Sequence, residues 1–412
     1  MNIKTRLIIM NFLQFFVWGA WLISLGSYLG GHLQFDGFQI GSFYAAMGIT
    51  SLFMPAILGI IADRWIPAQK MLGISHFLAA IFLIVASFQT EFTPLYTFMF
   101  LSLMFYMPTI ALSNAVAFNA LDKAGLDTVK AFPPIRFWGT VGFIAAMWVV
   151  DLTGFKSNEM QFYLSAAAGI FLAGYSFTLP HCPIAEKSKS TGIVDLLGLR
   201  AFSLFKEKKM ALFFIFAMLL GAALQITNGF GDFFLNSFKS VPEFAETFGV
   251  KHSVILISLS QISETFCILL IPFFLRKFGI KKVMLISMFA WVLRFALFGL
   301  GDPGSGVWMF VLSMLVYGVA FDFFNISGSL FVDKETSHTM RSSAQGLFML
   351  MTNGFGATIG SLAAGAVVKR VVPDTSVPAG WETAWFIFAG YALVIALVFM
   401  IVFKYKHEKV QQ

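Results

Sequence analysis

The sequence predicts an all-α polytopic membrane protein with about twelve transmembrane helices in two six-helix bundles. Two observations predict this class. The 412 residues are 58% hydrophobic and only 12% charged, with a mean hydropathy of +0.80, whereas a soluble domain is about 25% charged. In addition, apolar stretches of roughly 20 residues, the length that crosses a bilayer as a helix, recur along the chain.

The candidate spans follow one another with short connections, apart from one long central loop. In chain order they cover 6–30, 38–62, 70–89, 95–120, 134–153, 160–180, 210–235, 253–275, 282–300, 306–331, 343–368 and 383–403. We expect the first span to be a retained anchor, because its apolar stretch is too long for a signal peptide. Gly26 and Ser27 also do not form an A-x-A cleavage site.

The basic residues are distributed unevenly over the two sides of the membrane. In this topology 21 of the 28 lysines and arginines lie on the side of both termini, and five lie on the other. Only Arg136 and Arg294 fall inside spans. The positive-inside rule therefore predicts that both termini are cytoplasmic. The net charge of +7 then reflects membrane topology, and we predict no nucleic-acid partner.

The long central loop predicts the domain organisation. It carries the polar run EKSKSTG and then LLGLRAFSLFKEKK, a pattern typical of an amphipathic segment on a membrane surface. We predict an N-terminal bundle over 1–180, a cytoplasmic loop over 181–209 and a C-terminal bundle over 210–412. Two short basic loops, GIIADRWIPAQK and PFFLRKFGIKK, occupy corresponding positions in the two halves and favour an internal repeat.

Polar side chains inside spans are candidates for function, because a charge at the bilayer centre costs roughly 2.5–3.5 kcal/mol on insertion scales. The stretch PPIRFWGTVGF places Arg136, Thr140 and Phe143 on one helical face, at i, i+4 and i+7. Pro133 and Pro134 then mark the start of the helix. An arginine near a helix start can instead extend to the lipid headgroups, so the residues alone leave both roles open for Arg136.

The second half carries a larger set of polar and aromatic residues within its spans. They are Gln225 and Asn228 in span seven, Gln261 and Glu264 in span eight, Tyr317, Phe321, Asp322 and Asn325 in span ten, and Gln345, Thr352 and Asn353 in span eleven. An isolated amide often only joins helices. Glu264 and Asp322 are harder to explain in this way, since both lie well inside their spans. We expect Asp232 to be solvated near the periplasmic end. Arg294 could be structural or an interfacial anchor, and we favour the structural role.

These residue types fit a polar ligand that has a flat ring. Amide, carboxylate and guanidinium groups form hydrogen bonds, and an aromatic face stacks on a base with roughly 1–3 kcal/mol in nucleic-acid binders. A sugar alone would need these polar groups and a ring to stack on, and a nucleobase would need amide-like partners at its edge and an aromatic face. A nucleoside has both parts and fits best. The chain has no G-x-x-x-x-G-K-[ST] motif, no H-E-x-x-H motif and no Cys/His cluster with metal spacing. We therefore predict no enzyme activity, no catalytic or metal-binding residue, and no ATP-driven transport.

The chain resembles a known transporter family over essentially its whole length. Two halves, a central loop and the sequence G-x-x-x-D-R from Gly59 to Arg64 resemble the major facilitator superfamily, although Trp65 and Ile66 depart from its fuller signature. Longer segments resemble the nucleoside–proton symporters of enteric bacteria: FLQFFVWGAWLISLGSYL, FPPIRFWGTVGFIAAMWVV, ALFFIFAMLLGAALQITNGFG, LSQISETFCILLIPFFL and VYGVAFDFFNISGSLFV.

The resemblance implies the major facilitator fold and a proton-coupled importer of nucleosides in the bacterial inner membrane. A proton gradient would drive transport, with no cofactor. The family's substrate site corresponds to Arg136, Thr140, Phe143, Gln225, Asn228, Gln261, Glu264, Tyr317 and Phe321. Proton coupling is expected at Glu264 and Asp322. We also expect Arg136 to pair with Asp322 when the site is empty.

Several alternatives stay open at this point. Broad use of purine and pyrimidine nucleosides is expected, but the family also contains a narrower xanthosine transporter. A sugar or oligosaccharide symporter would use the same polar face without base stacking, and an efflux pump or a non-transporting membrane receptor belongs to another class. We expect a monomer in the lipid bilayer whose partners are a nucleoside and protons.

Overall fold

The computed structural model describes residues 2–184, 199–337 and 340–405, and over these ranges the chain is helical without a β-strand. Nine helices of the described residues are long and apolar enough to cross a membrane. The predicted all-α membrane class is therefore confirmed. Residues 185–198 of the predicted central loop lie outside the described residues, and the part that follows, Leu199–Lys206, is a 3₁₀ helix.

The main helices follow the predicted spans in order. They are α1 Ile3–Gly19, α2 Gly37–Arg64, α3 Ala68–Ser87, α4 Phe92–Lys123, α5 Thr128–Leu152, α6 Met160–Ser176, α7 Lys208–Ser237, α8 Ser253–Leu300, α9 Val307–Glu335, α10 Arg341–Met349, α11 Ala357–Val371 and α12 Trp381–Val402. Two π-helices join this set: Tyr28–His32, between α1 and α2, and Leu350–Gly356, between α10 and α11. The predicted spans fall mainly on helix, although residues 20–24 of the first span form a turn and residues 177–180 of the sixth lie beyond α6.

Three boundaries differ from the sequence prediction. Helix α8 is 48 residues long and covers spans eight and nine, which meet at a kink where Gly279 has φ 77° and ψ 166°. Helices α1 and α6 have only 17 residues each. Helix α5 begins at Thr128, so Pro133 and Pro134 lie inside it and do not mark its start. The number of twelve crossings therefore stays a prediction.

The chain separates into two compact units, which we describe individually. Unit 1 comprises Met1–Phe35 and Ile49–Leu197, and unit 2 comprises Asp36–Gly48 and Gly198–Gln412. The beginning of α2 thus groups with unit 2, while the domain boundaries near 180 and 210 stay a prediction. The core of unit 1 is mainly aliphatic, with fully buried Leu7, Met10, Leu72 and Val116.

The core of unit 2 is built largely from stacked aromatic rings. Trp385 on α12 lies parallel to Phe298 on α8, with 4.5 Å between the ring centroids. Phe234 on α7 meets both Trp385 and Phe310 of α9 edge to face, at 5.5 Å and 5.9 Å. Such aromatic pairs contribute about 0.5–1.5 kcal/mol beyond their buried area. They fix the helices that carry the polar residues of this unit.

Candidate functional site

In unit 1, Arg136 of α5 contacts an aromatic ring of α1. Its Cζ atom lies 3.8 Å from the ring centroid of Phe15, the geometry of a cation–π contact. Gly139 permits this approach, because a Cβ there would lie 2.6 Å from the Phe15 ring and 2.7 Å from Arg136 Nη1. The half-buried guanidinium is therefore held against α1.

Aromatic side chains extend the face that Arg136 begins. Phe143, two turns further along α5, is 8% exposed and meets Trp18 of α1 edge to face at 6.3 Å between centroids. Trp18 also contacts Phe15, at 6.5 Å. Thr140 lies between Arg136 and Phe143 in the sequence and is half-buried. The three predicted residues of α5 thus lie on the helix face that packs against α1.

A chain of buried hydrogen bonds connects α1 to α3 and α4. The Thr109 hydroxyl donates to the Tyr106 carbonyl at 2.5 Å, so it accepts from Gln14 Nε2 at 2.7 Å. Gln14 Oε1 then accepts from His76 Nε2 at 2.7 Å, so His76 carries a proton on Nε2. The Tyr106 hydroxyl donates to the Gln14 carbonyl at 2.8 Å. These side chains are 0–3% exposed, so the network holds α1 rigidly to α3 and α4.

In unit 2, Glu264 of α8 and Asp322 of α9 form a pair of interacting acids. They act on each other electrostatically, and both act on Tyr317 of α9. Asp322 is 5% exposed, and its Oδ2 atom has no hydrogen-bond partner among the described residues. Glu264 is half-buried. Two neighbouring carboxylates repel each other when both are charged, and adding one proton removes that repulsion. The two acids are therefore candidates for proton coupling.

Aromatic residues of α9 form a flat surface next to these acids. The rings of Tyr317 and Phe321 are parallel, with 5.6 Å between centroids and 7° between planes. Phe321 lines a small cavity inside unit 2, together with Leu220, Gly221, Leu224, Trp291, Ala320, Phe324, Asn325, Thr352 and Asn353. An aromatic wall with nearby amide groups is suited to a planar, hydrogen-bonding ligand.

Two glutamines of unit 2 present unpaired acceptor atoms. The Oε1 atoms of Gln225 on α7 and Gln261 on α8 are buried and have no hydrogen-bond partner in the part of the chain that the structure describes. Buried polar atoms in native proteins are normally paired, so these oxygens are suited to accept hydrogen bonds from a ligand. Asn228, one turn beyond Gln225 on α7, is half-buried.

Sequence reasoning missed part of this cavity wall. Asn325, Thr352 and Asn353 were recognised as polar residues within spans, but they were not assigned to the site. Thr352 and Asn353 belong to the π-helix Leu350–Gly356, and π-helical turns are often found at functional sites. Their polarity in an apolar span was the available signal. Gln345 differs, because it exchanges hydrogen bonds with Ser329 and joins α10 to α9.

One expectation for a charged residue outside the site was wrong. Asp232 was expected to be solvated, but it is 1% exposed and accepts a hydrogen bond from the Ser253 hydroxyl at 2.5 Å. Arg294 is 2% exposed, which agrees with the expected structural placement and not with an anchor at the membrane surface. Both charges are buried in unit 2, where neighbouring polar groups compensate part of the cost.

Comparison with known proteins places these features in context. Residues 1–408 match the family described as "Nucleoside H+ symporter". The nucleoside permease NupG of Escherichia coli K12 is 52% identical over 411 residues, covering 100% of this chain and 98% of that protein. A xanthosine permease of the same organism is 50% identical over 409 residues, covering 99% and 97%. The crystal structure of NupG superimposes with a TM-score of 0.92 at 52% identity, over 98% of this chain and 100% of that one.

Proposed function

This chain belongs to the nucleoside H+ symporter family, and from that membership we propose how its residues carry out transport. It is a proton-coupled nucleoside importer that works by alternating access. Its coupling ion and its cargo are protons and nucleosides, and the proton gradient supplies the energy. The open question is which side chains bind the nucleoside and which carry the proton.

The proposed substrate-binding residues come from both units. In unit 1 they are Arg136, Thr140 and Phe143, and in unit 2 they are Gln225, Asn228, Gln261, Glu264, Tyr317 and Phe321. The amide and carboxylate groups form hydrogen bonds with the sugar hydroxyls and the base edge, while the rings pack against the flat base. The unpaired Oε1 atoms of Gln225 and Gln261 support this assignment. The expected pairing of Arg136 with Asp322 stays a prediction.

The observation that carries the proposal is the arrangement of acids and rings in unit 2. Glu264 and Asp322 act electrostatically on Tyr317, and Tyr317 stacks on Phe321. A proton bound by Glu264 or Asp322 would therefore lie close to a nucleoside base packed on Tyr317 and Phe321. Protonation removes a charge that is costly in hydrocarbon, so the loaded and protonated carrier can change conformation. This links proton uptake to nucleoside movement.

A narrower substrate range is the second candidate, because a xanthosine permease is 50% identical to this chain. Both candidates need stacking on the base and hydrogen bonds to the ribose. They differ in how many kinds of base edge the site accepts. Competition between nucleosides distinguishes the two candidates.

We further propose that the protein is a monomer in the bacterial inner membrane with both termini in the cytoplasm. The uneven distribution of lysines and arginines supports this orientation. A green fluorescent protein fused after Gln412 should be fluorescent, because that reporter folds in the cytoplasm, whereas alkaline phosphatase at the same place should be inactive. An active phosphatase fusion would contradict the orientation.

Uptake of labelled uridine by a transport-deficient strain tests the function. Cells that express the chain should accumulate uridine, and a protonophore should abolish accumulation. An excess of adenosine should compete, while ribose and lactose should not, because neither sugar carries a planar base to pack on the aromatic wall. Competition by xanthosine alone would favour the narrower candidate.

Three results would contradict the proposal. Competition by lactose would indicate a sugar symporter, and accumulation that rises when the gradient collapses would indicate an efflux pump. Binding of uridine to the purified protein without uptake in cells would indicate a receptor. The amount of protein in the membrane should be measured in each strain, so that absence of uptake is not confused with absence of protein.

A further inference from the structure

Arg294 is a buried cation of unit 2 that is not part of the proposed substrate site. It lies on α8 and is 2% exposed. Its Nη1 donates to the Ser313 carbonyl at 2.6 Å and its Nη2 to the Ser260 hydroxyl at 3.4 Å. The Ser313 hydroxyl donates back to the Arg294 carbonyl at 3.0 Å. No ion pair between Arg294 and a carboxylate is found among the described residues.

A buried arginine is not required merely to join α8 to α9. A buried cation is expensive, and replacing buried charges by apolar side chains of similar volume often leaves stability unchanged or increased. Ser313 already ties α9 to the α8 backbone by its own hydroxyl. The Arg294 Nε atom is buried and has no hydrogen-bond partner in the described ranges. The guanidinium is therefore not fully satisfied by its polar neighbours.

The guanidinium also contacts the aromatic surface of the proposed site. Its Cζ atom lies 4.8 Å from the ring centroid of Tyr317, closer than the 5.6 Å to Phe298. Trp291 meets the Tyr317 ring edge to face at 6.1 Å. Tyr317 stacks on Phe321, which lines the cavity of unit 2. A continuous series of contacts thus runs from Arg294 through two rings to the cavity.

We propose that Arg294 is a positioning residue for nucleoside binding: it fixes the ring of Tyr317, and through that ring Phe321, as the surface on which the base packs. This inference rests on the proposed function of Tyr317 and Phe321. The two hydrogen bonds hold the planar guanidinium in place, and its cation–π contact then restrains the Tyr317 ring. A wall that is ordered before binding loses less entropy when the nucleoside arrives.

A double-mutant cycle of uridine transport tests this role. Arg294→Met should raise KM about fivefold, the effect of losing a contact of roughly 1 kcal/mol, while Vmax per carrier changes less. Tyr317→Ala should raise KM as well. Because Arg294 acts through Tyr317, adding Arg294→Met to Tyr317→Ala should raise KM no further. Adding it to Tyr317→Phe, which keeps the ring, should still raise KM about fivefold.

A conservative variant provides a further readout. Arg294→Lys keeps the charge but loses the planar fork that makes both hydrogen bonds, so its KM should stay close to that of Arg294→Met. Recovery of the wild-type KM by lysine would overturn the proposal in favour of a requirement for charge alone. Titration of purified carrier with uridine gives Kd independently of expression level.

Different outcomes would contradict the positioning role of Arg294 and the assignment of Tyr317 to the substrate site. If Arg294→Met lowers only the amount of folded carrier and leaves KM and Kd unchanged, Arg294 is structural. Effects on KM that add in the double variant with Tyr317→Ala would also overturn the positioning role. An unchanged KM in Tyr317→Ala would contradict the assignment of Tyr317 to the site itself.

Discussion

At the scale of single residues, each unit carries charged side chains within its helices. Unit 1 presents a cation, Arg136, whose position is set by the ring of Phe15. Unit 2 presents two interacting acids, Glu264 and Asp322, next to stacked rings. Buried charges of this kind are rare in membrane proteins and mark transport pathways. A polar nucleoside and a proton are the two cargoes that such groups can bind.

Replacing Arg136 tests the unit 1 part of the site. Arg136→Met keeps much of the side-chain length but removes the charge and the cation–π contact with Phe15, so the KM for uridine should rise at least about threefold. The measurement is initial uptake rate against uridine concentration. Arg276→Met is the matched control, because Arg276 is an exposed arginine outside the site and should leave KM unchanged. Equal effects of both substitutions would contradict a binding role for Arg136.

The sequence predicted individual candidate residues better than it predicted the side chains that surround them. Arg136, Glu264 and Asp322 could be selected because a charge within an apolar span is conspicuous and costly. The sequence could not reveal that Thr352 and Asn353 line the unit 2 cavity, since that depends on which side of a π-helix faces inward. The sequence showed that these two residues are polar, but it did not show which way their side chains point.

At the scale of helices, close approach of α1 and α5 positions the unit 1 residues. Gly139 lets the ring of Phe15 and the guanidinium of Arg136 occupy the space of a missing side chain. The hydrogen bonds of Gln14 and His76 hold α1 from its other side. A helix restrained on both sides has little room to adjust, so a small added volume should displace the site.

Adding one methyl group at this contact provides the test. Gly139→Ala places a Cβ within 3 Å of both neighbours, and overpacking of this kind costs typically about 1–3 kcal/mol. The KM for uridine should rise and the thermal stability of the purified carrier should fall. Gly174→Ala on α6 is the control, since nothing lies within 4 Å of its Cβ position. A wild-type KM for Gly139→Ala would show that α1 and α5 adjust freely.

Helix type and boundaries were only partly predictable. Hydrophobic length predicted where the main helices lie, because about 20 apolar residues are needed to cross the bilayer. The two π-helices depend on hydrogen bonds between residues five apart, which leave no distinct pattern in the sequence. The long helix α8 was predicted as two spans because its middle is basic. Its kink at Gly279 has a positive φ that glycine adopts readily.

At the scale of the whole molecule, the protein is a membrane transporter built from two compact units. Composition and the overall hydropathy pattern predicted an all-α membrane protein directly, whereas transport was implied by the family resemblance. The family membership came from long motifs, which physical patterns alone could not supply. The exact number of crossings and the domain boundaries stay predictions, and residues 185–198 of the central loop lie outside the described ranges.

Substrate class can be tested on the intact carrier by its thermal stability. A ligand that binds only the folded protein stabilises it by about 2.7 kcal/mol at 100 times its Kd. Uridine should therefore raise the melting temperature of the purified carrier in detergent, while lactose at the same concentration should not. The variant Gln261→Ala should need more uridine for the same shift. Stabilisation by lactose and not by uridine would contradict a nucleoside site.

The most direct test of the central claim measures coupling and exchange in the same proteoliposomes. Asp322→Asn and Glu264→Gln each remove one ionisable group while they preserve size. We predict that each variant still exchanges labelled uridine for unlabelled uridine inside the vesicle, but no longer accumulates uridine when a proton gradient is imposed. Wild-type protein should do both. Gradient-driven accumulation at the wild-type level in both variants would contradict the claim that this acid pair couples proton movement to nucleoside uptake.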